Sequence, residues 1–268
     1  MKYAFMSFSA PQMNLQELLA YAMQTGYDGI EPRIDSRHAH GIELDTTAAQ
    51  RQEIRKQAEQ SGVALCCIAT SCKYADSATA PRWVDETRRA IALAADVGSP
   101  RLRVFGGAIP QYVTREQAID SLTNSLGAVA NEAQQHGVRI CLETHDDWTD
   151  PDHVATVMRQ VNHPAIGVNW DYQHTSRIAK ATPDQAFETL RPWIHHVHFH
   201  DGENRADKLV FLPIGQGDYD NKRVLELLLS ANYDEYLSGE WINWEPYDIH
   251  LPREINAIRQ LEREAAAQ

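Results

Sequence analysis

Short apolar runs alternate along the chain with longer amphipathic stretches, and the first four of the latter close on glycine. Tyr3–Phe8 is followed by Asn14-Leu15-Gln16-Glu17, a cap residue with an acid three positions on, which opens a helix that stops at Gly26. Tyr27–Pro32 then reads as a short strand. Thr46 or Thr47 starts a helix that reaches Ser61 with Gly62 behind it, and Val63–Thr70 is an apolar strand pattern. A helix over Pro81–Val97 ends at Gly98 before the strand Arg101–Phe105, and one capped by Thr114 with Gln117 ends at Gly137 before Val138–Glu143. Thr149-Asp150-Pro151 opens a fifth helix ahead of the strand Ile166–Asp171, and Thr182-Pro183-Asp184-Gln185 opens a sixth ahead of Ile194–Asp201. A loop over 201–219, a helix at Asp220–Ser230, a strand at Tyr236–Gly239 and a closing helix at Pro252–Ala266 complete the chain. The pattern amounts to eight strand-helix units, the number at which a parallel sheet closes on itself. The expected fold class is therefore α/β, a single (β/α)₈ TIM barrel with residues 1–268 as one domain.

In that frame one strand stands out. Ile194–Asp201 sends His196, His198 and His200 to one face, because strand side chains alternate. Carboxylates end three other strands: Glu143, Asp171 and Glu240. Glu143 to Asp171, Asp171 to His198 and His198 to Glu240 are steps of 28, 27 and 42 residues, the first two being one strand plus one helix. In a barrel, the C-terminal strand ends converge on one mouth. Three carboxylates and an imidazole crowded there would raise one another's pKa values, and a divalent cation resolves the conflict. An oxygen-rich set with one nitrogen favours Mn²⁺ or Mg²⁺, with Co²⁺ and Zn²⁺ as alternatives. The plain alternative is an ion-pair network with Arg139 or Arg103. Cys141, Asn169, His196 and Ser238, two residues below these four on the same face, read as a polar, water-accessible lining.

Composition narrows the function. The 268 residues are 43% hydrophobic and 23% charged, an ordinary globular balance, and the formal net charge of −12 opposes binding to a phosphate backbone. Nucleic acid is not expected as a partner. Cys66, Cys67 and Cys141 lie in strand patterns, and Cys72 in a loop is the one candidate reactive thiol. The absence of a disulfide pattern, secretory leader or long apolar run leads to the expectation of a cytoplasmic protein with no membrane role.

Five motifs in order, ICLETHDDW (140–148), VNWDYQH (168–174), HVHFHD (196–201), PIGQGDYD (213–220) and YLSGEW (236–241), together with GYDGIEP (26–32), resemble the sugar phosphate isomerase/epimerase family, the xylose-isomerase-like TIM barrels. Related motifs occur in ketohexose 3-epimerases, inosose dehydratases and apurinic-site endonucleases. The resemblance implies one divalent metal ion held by Glu143, Asp171, His198 and Glu240. It selects His198 by the His-x-x-Asp order with Asp201, and His200 stands where the family often has lysine. It also implies substrate contacts from His174 and, one position later than the pattern, Arg205. His145 and Glu31 are further candidates for binding a sugar hydroxyl.

The chemistry that follows is metal-assisted proton transfer on a keto sugar through an enediolate, with Glu143 and Glu240 as the acid/base pair. Epimerisation, aldose–ketose isomerisation and dehydration can all start from that step. The expected function is a sugar isomerase or epimerase, with a sugar or cyclitol dehydratase as the alternative. A DNA-repair nuclease and a non-catalytic sugar-binding module are the remaining rivals. Trp148, Trp241 and Trp244 are candidates for a wall over a sugar ring or for packing, and Gly106-Gly107 is a weak phosphate-loop signal. Without a clear cationic partner, the substrate is expected to be unphosphorylated. His38 and His40 read as solvated, and the segment Trp241–Tyr247 as a surface for a dimer or tetramer.

Overall fold

The computed structural model describes residues 1–205 and 208–267. Its parallel sheet comprises β1 (Lys2–Met6), β2 (Gly29–Glu31), β3 (Ala64–Leu65), β4 (Ile68–Lys73), β5 (Arg101–Phe105), β6 (Arg139–Glu143), β7 (Ile166–Asp171) and β8 (Ile194–Phe199), while β9 (Gly202–Arg205) and β10 (Lys208–Phe211) form a separate antiparallel hairpin and β11 (Tyr236–Gly239) returns to the sheet. The spatial order β3-β2-β1-β11-β8-β7-β6-β5-β4 brings the two ends of the sheet together. A parallel bridge from Arg33 to Ala69 and the Ala69 N–H donating to the Pro32 carbonyl at 2.9 Å close the ring. The result is a TIM barrel.

Around it lie α1 (Leu15–Thr25), α2 (Ala48–Ser61), α3 (Ala80–Val97), α4 (Arg115–Gln135), α5 (Pro151–Val161), α6 (Tyr172–Arg177), α7 (Pro183–Leu190), α8 (Asn221–Ser230) and α9 (Tyr247–Ala266). The helix starts follow their caps. Asn14, Thr47, Thr114 and Thr182 each form a capping box with the residue three positions on, and Gly26, Gly62 and Gly98 end helices at positive φ. No described helix is long and apolar enough to cross a membrane.

Several boundaries depart from the sequence reading. The third barrel position is split into β3 and β4 at Cys66-Cys67, because β3 pairs with β2 whereas β4 pairs with β5. The loop read over 201–219 contains the β9-β10 hairpin, with Ala206 and Asp207 outside the described residues. α9 begins at Tyr247 and carries Pro252 inside it.

The large core lies between barrel and helices. It takes Tyr3 and Phe5 from β1, Ile140 and Leu142 from β6 and Val197 and Phe199 from β8. Ala4 of β1 forms a small separate cluster with Cys66 and Cys67, which lie between β3 and β4. Small interior residues leave room for polar side chains on the barrel axis, where bulky aliphatics would otherwise stack. That space is where the site is built.

Candidate active site and metal centre

Glu143 and Asp171 are the last residues of β6 and β7, His198 lies one residue from the end of β8, and Glu240 directly follows β11. These strands are consecutive in the sheet, with Glu143 in register with Asn169, and Asp171 and Ser238 both in register with His198. The donor atoms of Glu143, Asp171, His198 and Glu240 all lie within 4.8 Å of one another, and all four residues are buried. His198 Nδ1 is 3.5 Å from Glu143 Oε1 and 3.4 Å from Glu240 Oε2. Asp171 uses Oδ1 to cap α6, accepting the N–H groups of Gln173 and His174 at 3.0 and 3.1 Å, and keeps Oδ2 3.2 Å from His200 Nε2.

Behind the cluster stand groups that orient it. Glu31, at the end of β2, is fully buried, with both oxygens 3.2 Å from His198 Nε2 and Oε2 2.8 Å from His196 Nε2. It is thus engaged by these two imidazoles. Burial alone would raise its carboxyl, but the charges and hydrogen bonds of His198 and His196 hold it well below the carboxylate range. The His198 ring is raised well above its ordinary value: burial opposes its charge, and Glu31, Glu240 and Glu143 outweigh burial. Arg103, on β5 and 1% exposed, places Nε 3.0 Å from Glu143 Oε2. Burial pushes the Glu143 carboxyl up, yet Arg103 and His198 bring it down to about 2. Neither partner is near in sequence. The only signal for Arg103 is that it shares its strand face with Phe105, the register partner of Glu143.

At the rim, His145 Nδ1 pairs with Asp146 at 2.9 Å, and its ring packs against Phe105 and His174. Burial disfavours its charge, but Asp146 and Glu143 raise the ring to about 9, so it is a cation at neutral pH. His174 Nε2 stands 3.7 Å from Asp171 Oδ2, and its side chain is 12% exposed. Arg205 is on the hairpin, largely exposed, and pairs with Glu203.

Other expectations are corrected. Cys72 is in β4, fully buried, its thiol pushed up by burial to about 11, which removes it as a nucleophile. His38 and His40 are buried, His38 Nδ1 lying 2.8 Å from Ser7 Oγ and His40 Nδ1 accepting the Ile42 N–H at 3.0 Å. Gly106 serves packing: a Cβ there would meet Trp148 Cδ1 at 2.1 Å, and the buried Trp148 indole donates to the Gly107 carbonyl at 2.8 Å. Trp148 and Trp241 are thus core residues. Cys141, Asn169, His196 and Ser238 are all fully buried and form a closed polar layer, since Glu31 and Arg103 fill the interior beside them.

This donor set fits a cation. Both Glu143 oxygens and His198 Nδ1 are buried without an aligned hydrogen bond, and the carboxylates gathered around Nδ1 require a positive charge there, supplied by a proton on the ring or by a cation in its place. With His198 Nε2–H donated to Glu31, Nδ1 is left to face an ion, the carboxylate–histidine–metal arrangement. Glu143 also gathers with His145 and His174, and Glu31 with Cys66 and His196, each set with donor atoms within 4.8 Å.

The family model of the xylose isomerase-like TIM barrels matches residues 19–262. The chain belongs to this family. It is similar to the 3-dehydroshikimate dehydratase of Bacillus anthracis, 23% identical over 203 residues that cover 74% of this chain and 71% of the relative. Among solved structures it resembles the IolI protein with a bound zinc atom (TM-score 0.82, 17% identity, 100% of this chain and 98% of that one). It also resembles an L-ribulose 3-epimerase (TM-score 0.81, 19% identity, 100% and 96%). The named proteins that this chain resembles thus include an epimerase and a dehydratase.

Proposed function

We propose that this chain is a divalent-metal-dependent sugar epimerase or isomerase, which removes and returns a proton on the carbon beside the ketone of a small polyhydroxylated substrate. The observation that carries the reading is the buried cluster of Glu143, Asp171, His198 and Glu240, in which two glutamates from the outer pair of four consecutive strands flank one imidazole. These four residues would hold the ion. Bound there, it would supply Lewis-acid polarisation of a carbonyl and its neighbouring hydroxyl. The oxygen-rich set favours Mn²⁺ or Mg²⁺, and the zinc of the IolI protein keeps Zn²⁺ as an alternative.

The protein's own groups divide the remaining work. Glu240 makes no ion pair with a lysine or arginine among the described residues and is free to exchange a proton, whereas Glu143 is fixed as an anion by Arg103 until a substrate proton reaches it. His145 and, beside it, His174 would donate to substrate hydroxyls. His200 and Glu31 are positioning residues, holding Asp171 and His198.

A second reading is favoured by the dehydratase relative: the same proton removal, followed by expulsion of a β-hydroxyl. A panel of ketopentoses, ketohexoses, keto-cyclitols and 3-dehydroshikimate separates the two. An epimer or aldose found by chromatography supports the first reading, and a new ultraviolet-absorbing enone or aromatic product supports the second. No turnover across the panel, with cleavage of an abasic DNA duplex, would overturn both.

Two expected outcomes concern the ion. Metal uptake by chelator-treated protein should approach one ion per chain and release about one proton, because the three carboxylates hold His198 protonated until a cation replaces that proton. Uptake without proton release in a weakly buffered titration would contradict this. Glu31→Gln should weaken metal affinity about 10–100-fold by loosening His198, as measured by competition with a chromogenic chelator. Unchanged affinity would remove Glu31 from that role.

A further inference from the structure

At the barrel end opposite the candidate active site, a cavity of about 480 Å³ is lined by Lys2, Arg101, Arg139, Glu235 and Tyr236. Lys2, Arg101, Arg139 and Tyr236 begin β1, β5, β6 and β11, so the sheet itself presents them. Arg101 and Arg139 are register partners on neighbouring strands, where directly opposed like charges destabilise a sheet. Only part of this charge is balanced. Arg101 pairs with Glu235 and donates from Nε to the His195 carbonyl at 2.7 Å. Arg139 reaches only His195 Nδ1, at 3.3 Å, and the Lys2 ammonium lies over the Tyr236 ring at 5.4 Å. Neither Arg139 nor Lys2 meets a carboxylate among the described residues. Three cations against one carboxylate leave two positive charges concentrated in a cavity, on a chain whose net charge is −12.

His195 reports the same field. Burial lowers its ring, and Arg139 and Arg101 lower it further, to about 4. It is therefore neutral at neutral pH, its Nδ1 facing Arg139.

We propose that this floor cavity is a binding site for a doubly charged oxyanion with phosphate chemistry, held by Arg139 and Lys2 beside the Arg101–Glu235 pair. A guanidinium donates two parallel N–H groups to such an anion, and the dianion matches the uncompensated charge. The cavity exceeds the size of one phosphate, leaving space for the rest of a phosphorylated small molecule. The mechanism at the mouth uses none of these residues.

Calorimetric titration of the metal-loaded protein with inorganic phosphate and, separately, glucose 6-phosphate, at ionic strength fixed with potassium chloride, tests the site. One anion per chain is expected, with Arg139→Gln weakening it at least about tenfold and Arg139→Lys retaining part of the affinity. Similar affinities for the two probes mark free phosphate as the ligand, and tighter binding of the ester marks a phosphorylated metabolite. If Arg139→Gln fails to fold, Lys2→Gln, at an exposed position, provides the same comparison. Absence of binding by the native protein, or binding unchanged in a folded variant, would overturn the assignment and in the latter case place the anion elsewhere.

Discussion

Glu240→Gln is expected to lower kcat by about 10²–10⁴-fold while the fold survives, with kcat compared at metal concentrations that saturate the weakened site. The substitution preserves the shape of the side chain and one carbonyl oxygen near His198, but an amide cannot accept and return a proton. Glu240 suits this role because it borders the mouth, its side chain 11% exposed, with His198 as its only ion-pair partner among the described residues. Measured kcat, metal content and circular dichroism together define the outcome. Turnover within about tenfold of the native rate, with metal bound, would mean that another group moves the proton.

Arg103→Met is expected to cost about 3–5 kcal/mol of stability in the metal-free protein, because it leaves Glu143 as a buried charge without its main partner. The loss also removes the NH1 bond to the Thr70 carbonyl at 2.7 Å and the guanidinium stacked 4.0 Å from the Phe105 ring centroid. Its pH dependence follows from the sign of the shift. The native Glu143 carboxyl is depressed to about 2, so its contribution is complete above the unfolded value of about 4.3 and fades as pH falls towards 2. The gap between native and variant stability should therefore narrow below about pH 4–5, as measured by urea denaturation. Adding Glu143→Gln to Arg103→Met should recover part of the loss, since the uncompensated charge is then gone. A cost below about 1 kcal/mol, independent of pH, would show that the pair is not a buried, desolvated one.

What the chain reveals by itself depends on how local the cause is. Capping boxes at Asn14, Thr47, Thr114 and Thr182 and the glycines that close α1, α2 and α3 act within a few residues, so those helices could be located from sequence. Strand parity and spacing likewise placed Glu143, Asp171, Glu240 and the face of His196, His198 and His200 at adjoining strand ends, and the family resemblance selected His198 from that face; the structure gathers these four residues, Glu143, Asp171, His198 and Glu240. The break at Cys66-Cys67 could not be read, because it arises where the closing barrel passes the chain from β2 to β5. Glu31 and Arg103 were undervalued for the same reason: their partners are fixed only by the curvature of the sheet, 165 residues away in the case of Glu31 and His196. Gly106 looked like a loop glycine until Trp148, distant in sequence, proved to occupy the space of its missing side chain. Polarity misled at His38 and His40, which are buried with their ring Nδ1 atoms satisfied, His38 by Ser7, 31 residues away, and His40 by the Ile42 N–H.

The central claim is that the cluster at the mouth exchanges a carbon-bound proton. Metal-loaded enzyme incubated in D₂O with the keto substrate it turns over should place deuterium on the carbon next to the carbonyl, read by NMR in recovered substrate and product, and chelation should abolish both turnover and labelling. Complete turnover with no deuterium incorporated, the pattern of a direct hydride shift between carbons, would contradict proton transfer by Glu143 and Glu240.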